Sequence, residues 1–196
     1  MNNIIAAGTV WGIEKSHEQY GEKFFKFLLS VSRTSGEIDV IPCVAPELII
    51  NEIAEGGKIE ISGNVRTRNV LTDGKSKLDI YVFVSEISEY KKDKNMVEID
   101  GCICKKPLYR ETPKGRQVAD VLIASSRITR RSDYIPSIAW GRNALRVKEW
   151  DVSDKIYAKA RFQSREYKKT IDEKQHIKIA YELSISSIEK IKESEE

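Results

Sequence analysis

K-I-E-I-S-G-N-V-R-T-R, from Lys58 to Arg68, aligns without a gap on K-I-Y-A-K-A-R-F-Q-S-R, from Lys155 to Arg165. Other landmarks repeat in step with it. L-S-V-S-R ends at Arg33 and A-S-S-R at Arg127, while D-V-I-P starts at Asp39 and D-Y-I-P at Asp133, both at an offset of 94. Gly8, after I-I-A-A, matches Gly101, after V-E-I-D, at an offset of 93. The drift from 93 to 97 along the chain needs only short insertions between elements, so one unit has been used twice. We divide the chain into 1–90 and 95–190, joined near S-E-Y-K-K-D-K-N, Ser88 to Asn95.

Each unit reads as short strands with one helix. In the first, residues 3–13 alternate, Phe24 to Val31 and Asp39 to Val44 follow as strands, and Pro46 opens a helical segment, P-E-L-I-I-N-E-I-A-E, that Gly56 and Gly57 close. Lys58 to Val70 and Leu78 to Ile87 are the last two strands, joined by a T-D-G-K turn in which Asp-Gly is a hairpin signal. The second unit gives Met96–Cys104, Gln117–Ser125, Tyr134–Trp140, a helix near Asn143–Trp150, then Lys155–Tyr167 and His176–Ile188. The class is mainly β. Five strands with a helix between the third and fourth is the order of the OB-fold, a small Greek-key barrel whose faces bind oligonucleotides, so we expect two tandem OB-fold barrels.

Composition excludes more than it assigns. The net charge is +3, but it is split, with −2 over residues 1–94 and +5 over 95–196, so a polyanion is drawn first to the second unit. Cys102 and Cys104 sit two apart on one face of a strand, unsuited to a disulfide, and the odd total of three cysteines fits reduced thiols and a cytoplasmic protein. C-I-C is not a zinc spacing, and no basic leader or apolar run of membrane length is present, so neither metal, cofactor nor membrane is expected. There is no phosphate-cradling G-x-x-x-x-G-K-[ST], no H-E-x-x-H and no G-x-S-x-G, and His17, in a charged loop, and His176, at a strand start, lack a nucleophile beside them. An enzyme is not expected.

The residues suited to a single strand lie in the second unit. In S-R-I-T-R-R-S-D-Y-I-P-S-I-A-W-G, Ser126 to Gly141, a basic loop with Arg127, Arg130 and Arg131 feeds a strand that carries Tyr134 and Trp140. The period of two puts both rings on one face, roughly 20 Å apart at about 3.3 Å per residue. Along Lys155 to Tyr167 the even positions Ile156, Ala158, Ala160 and Phe162 are apolar, and the odd ones are Tyr157, Lys159, Arg161, Gln163, Arg165 and Tyr167. Strict alternation makes one face core and the other a row of cations and rings, the pairing by which proteins hold unpaired nucleic acid. In the first unit the same face reads Glu60, Ser62, Asn64, Arg66 and Arg68, which is less cationic; Tyr81, Phe83 and Trp11 are nearby aromatics that packing explains as readily.

G-R-Q-V-A-D-V-L-I-A-S-S-R, D-Y-I-P-S-I-A-W-G-R-N-A and K-I-Y-A-K-A-R-F-Q-S-R-E-Y together resemble the bacterial single-stranded-DNA-binding protein family (SSB), across essentially the whole second unit and more weakly in the first. The resemblance implies stacking positions at Tyr134, Trp140 and Tyr167, whose counterparts in the first unit are Val40, Pro46 and Val70. It implies a single-stranded-DNA coating protein for replication, recombination or repair, with a homodimer bringing four barrels together. Many members end in an acidic tail with an apolar tip that docks replication enzymes; E-K-I-K-E-S-E-E, from Glu189, has no such tip, so that recruitment is not expected. The alternatives are an RNA-binding OB protein and a primosome-like scaffold that uses the barrel surfaces for protein partners.

Overall fold

The computed structural model describes residues 1–72, 74–171 and 174–191. Asp73 of the T-D-G-K turn, the end of the charged tail and the His176 side chain lie outside the described set. Among the described residues ten strands and two short helices run in the order β1 (Asn2–Gln19), β2 (Glu22–Ser32), β3 (Ile38–Pro46), α1 (Glu47–Ile50), β4 (Lys58–Thr72), β5 (Lys75–Glu89), β6 (Lys94–Glu111), β7 (Gln117–Ser126), β8 (Ser132–Trp140), α2 (Arg142–Val147), β9 (Lys155–Ile171) and β10 (Lys174–Lys190). Strands β1 to β5 lie in the order β2-β3-β5-β4-β1 and close through β1–β2; β6 to β10 repeat this as β7-β8-β10-β9-β6 and close through β6–β7. In each barrel the third and fifth strands are parallel, at Cys43↔Val82 and at Ser184↔Ile138, and the other pairs are antiparallel. This is the OB topology, twice.

Alternation builds the two cores. Phe27, Leu29, Ile41, Ile61 and Val82 fill the first barrel and Ile99, Ile123, Ile135, Phe162 and Leu183 the second, all at most 2 % exposed. The matched glycines have a shared cause. A Cβ on Gly8 would lie 2.1 Å from the Ser30 carbonyl oxygen, and one on Gly101 would lie 2.3 Å from that of Ala124. Ser30 and Ala124 are themselves repeat partners, so each barrel closes at a point where only bare backbone fits.

Two local expectations change. The helix opened at Pro46 lasts one turn; the α1–β4 link that follows is drawn onto β1, where Val10 N–H donates to Gly57 O and Val10 O accepts from Gly56 N–H, both at 2.9 Å. His17 is on β1, not in a loop. The β1–β2 hairpin extends to Tyr20 and Gly21, both at positive φ (53° and 79°), the turn whose twist matches the flanking strands. Its polar residues offered no apolar alternation to read.

The barrels meet about a pseudo-two-fold axis. β1 pairs antiparallel with β6 so that Ile4 faces Val97, its own repeat partner, while Asn2↔Ile99 and Ala6↔Asn95 are reciprocal. This is the self-complementary geometry of a symmetric dimer, built within one chain. Two buried carboxylates fasten it. Asp133 of β8 accepts from Arg127 Nε (2.7 Å) in its own barrel and, across the seam, from Thr67 N–H (2.6 Å) and Arg66 Nη1 (3.0 Å). Asp39 of β3 is held by Arg33 Nε (2.8 Å) and accepts from Ser164 N–H (3.2 Å) and Asn95 Nδ2 (3.4 Å) of the other barrel. The return contacts match as well, Tyr134 N–H to Thr67 Oγ1 (3.0 Å) and Val40 N–H to Ser164 Oγ (2.9 Å).

Candidate nucleic-acid interface

On β8 the residues Ile135, Ser137 and Ala139 turn inward and are buried, leaving Tyr134 and Trp140 outward at 46 % and 37 % exposure. Tyr167, beyond the barrel body on the β9–β10 hairpin opposite Lys178, is 37 % exposed. Trp140 borders a groove of ≈ 400 Å³ that Met96, Lys159, Ser184 and Ser186 share. Arg130 and Arg131 are exposed in the β7–β8 turn, which is closed by Arg127 N–H donating to Arg131 O at 2.7 Å.

The cations fall into two sets. Lys159 and Arg165 are exposed and pair at 3.3 Å with Glu98 and at 3.7 Å with the more buried Glu182, long contacts in which each cation stays open to solvent. Arg68 lies at 3.0 Å from Asp79 and over the Tyr81 ring, 5.1 Å from its centroid. Tyr157 is half-buried on the same strand as Lys159. The second set is structural in its contacts: Arg66 and Arg127 hold Asp133, and Arg161 donates to Gln163 Oε1 at 2.6 Å beside Asp39. Burial alone would raise the Asp133 carboxyl, but hydrogen bonds from Arg127, Thr67 N–H and Arg66 outweigh it and hold the group below the ordinary carboxylate range. Burial and the neighbouring Arg33 charge lower Arg161.

The odd-numbered row on β9 is therefore not one open face. Gln163 is 6 % exposed, since β9 at this point lies against the β2–β3 side of the first barrel. Alternation within one strand reports the inside of its own barrel; it carries no information about a neighbour that covers the outside.

Strand register settles the equivalences between barrels. Ser30↔Val40 matches Ala124↔Tyr134, Phe24↔Pro46 matches Val118↔Trp140, and Val70↔Lys77 matches Tyr167↔Lys178. The first barrel thus has no ring at these three positions. It has others that positional matching passed over. The His17 ring stacks on Phe24 at 4.8 Å and 10°, and Phe24 lies 6.1 Å from Phe83. Tyr81 and Phe83, two apart on β5 with buried Ile80, Val82 and Val84 between and beside them, also face outward. The i, i+2 spacing of Tyr81 and Phe83 was the available signal; Phe24 was hidden in an apolar run, F-F-K-F-L-L.

Among the described residues there is no helix long and apolar enough to cross a membrane and no cluster of His, Cys, Asp and Glu able to hold a metal. The model of the single-strand binding protein family matches residues 94–190. Among solved structures, the wild-type single-stranded DNA binding protein from Thermus aquaticus is similar at 17 % identity and a TM-score of 0.80, over 100 % of this chain and 95 % of that one. A deletion mutant of that protein is similar at 17 % identity and a TM-score of 0.77, over 100 % of this chain and 97 % of the other. At that identity the likeness is one of fold. No curated protein matches the chain.

Proposed function

We propose that this chain, which belongs through residues 94–190 to the single-strand binding protein family, coats single-stranded DNA with little sequence preference. The observation that carries the reading is the outward exposure of Tyr134, Trp140 and Tyr167 on the family-matched barrel, which also exposes Arg130, Arg131, Lys159 and Arg165, with Trp140 and Lys159 lining one groove. Phosphates are drawn to the cations, counterions leave, and bases freed from pairing lie on the rings, each stacked base contributing about 1–3 kcal/mol. Every base has a ring face, so sequence matters little; a duplex keeps its bases stacked on one another and is refused.

In this reading residues 1–90 and 95–190 are two OB-fold domains of unequal roles, with Tyr134, Trp140, Tyr157, Lys159 and Arg165 on the strand-binding surface. Arg66, Arg127 and Arg161 fix the barrel seam beside it, and Arg68 sits at its border. The protein is a non-enzymatic cytoplasmic binder serving replication, recombination or repair. Two copies pair to place four barrels on one strand.

Titrating dT oligonucleotides while following tryptophan emission tests this, with matched RNA and duplex DNA as competitors. Emission that changes with single-stranded DNA and resists both competitors is the expected result. Displacement by RNA at equal concentration would favour the RNA-binding alternative, and unchanged emission and mobility at low salt would exclude both.

A further inference from the structure

The outer face of the first barrel also carries rings, on different strands from those of the second. In the second barrel one rung of the β7–β8 ladder pairs Val118 with Trp140; the matching rung of β2–β3 pairs Phe24 with Pro46. The aromatic has crossed to the other member of the same pair, a displacement of about 5 Å. A neighbouring rung pairs Val44 of β3 with Phe83 of β5, and Tyr81 stands two residues further along that strand on the same side. The matching β10 positions, set by strand register, are Ser184 and Glu182. The first barrel's rings therefore stand on its second and fifth strands, and the second barrel's Tyr134 and Trp140 on its third.

These rings line a groove of ≈ 390 Å³ that the first barrel does not build alone. The first barrel lines it with His17, Phe24, Val44, Tyr81 and Phe83, and the β7–β8 turn of the second barrel with Arg127, Ile128 and Thr129. Asp133 holds Arg127 Nε at 2.7 Å and Arg66 Nη1 at 3.0 Å, so two guanidinium groups stand at the seam side of the groove. No carboxylate lines it among the described residues. Ile128, fully exposed at the tip of the turn, projects beside the groove mouth. Flat apolar rings beside arginines, with no acidic residue in the lining, suit a nucleobase next to a phosphate and suit an uncharged apolar helix less well.

We infer that this composite groove is a second seat for a single strand, one that spans the barrel seam and takes bases on Phe83 and Tyr81 with Arg66 and Arg127 facing the backbone. The inference rests on the reading of the chain as a single-stranded-DNA-binding protein. It gives the first barrel a direct contact and makes the β7–β8 turn a shared element, serving the second barrel through Arg130 and Arg131 and the first through Ile128.

The experiment compares dT oligonucleotides of roughly 8 and roughly 32 nucleotides, about one and several OB-fold site sizes, on the full chain and on a Tyr81→Ala, Phe83→Ala variant. The expected result is a loss of about fivefold or more in affinity for the long strand, the least that one lost stacked base costs, and a shorter occluded length per protein. Because Phe83 packs on Phe24, Ile128→Asp is a second variant that touches no core; it places a carboxylate at the groove mouth and should weaken the long strand likewise. Bromodeoxyuridine crosslinking should yield adducts on the peptides that hold His17, Tyr81 or Phe83. Long-strand affinity unchanged in both variants, with adducts confined to the second barrel, overturns the inference and leaves the function standing. A wild-type protein that binds neither strand overturns both.

Discussion

The Asp133 carboxylate, on β8 of the second barrel, accepts a 2.6 Å hydrogen bond from the backbone N–H of Thr67, on β4 of the first. The same carboxylate is held from its own side by Arg127, so the turn that bears the exposed arginines and β4 of the first barrel share one anchor. Asp39 repeats the arrangement with Arg33 and Ser164. The proposed strand-binding surface is therefore tied to the barrel seam through Asp133, and Asp39 fastens the seam at the matching place.

Asp133→Asn should destabilise the protein by about 3 kcal/mol, the lower end for breaking a buried pair, since Arg66 and Arg127 are partly exposed and can hydrate. Urea denaturation monitored by circular dichroism measures it. A midpoint equal to that of the wild type would mean that the carboxylate does not fasten the seam.

Acid should act through the same group. Its native carboxyl titrates below the ordinary value of about 3.9, so the folded state favours the charged form. The stabilisation is fully present above the ordinary value and is lost as pH falls below it and through the lower native value. Urea midpoints taken from pH 6 to pH 3 should fall more steeply for wild type than for Asp133→Asn; parallel curves would contradict the assignment.

Gly101→Ala should cost about 3 kcal/mol, near the upper end for overpacking, because its methyl would meet the Ala124 carbonyl oxygen, which is backbone and has little room to retreat. Thermal melts of this variant and of Gly115→Ala separate close approach from backbone strain, since Gly115 has open space around it and positive φ. The Gly101 variant should be the less stable of the two.

Much of this was legible in the residues. The ladder of matches from Gly8/Gly101 to Arg68/Arg165 defined the repeat, and with it the strand order, because each match falls within a strand or at its end. Tyr134 and Trp140 could be placed on one face because period two is a local property. What lay beyond reach was set by the partner barrel. Arg127 and Arg161 read as free cations until Asp133 and Asp39 were seen beside them at the seam, and Gln163 read as outward until the first barrel covered it. The shift of an aromatic from position 140 to the rung partner of position 46 was likewise invisible to gap-free matching, which compares a residue with its repeat and never with its cross-strand neighbour.

Lys159→Gln and Arg165→Gln should each lower the salt dependence of binding. Each phosphate contact removed reduces the slope of log affinity against log salt by about 0.7 on a single strand. Titrations at four salt concentrations measure that slope. A slope unchanged in both variants would place the backbone elsewhere.

The most direct test is the affinity of wild type and of a Tyr134→Ala, Trp140→Ala variant for one dT oligonucleotide at a single salt concentration. With about 1–3 kcal/mol lost per stacked base, the variant should bind at least tenfold more weakly while its thermal melt stays close to that of wild type, since both rings are exposed. Equal affinities in two equally stable proteins would contradict the account.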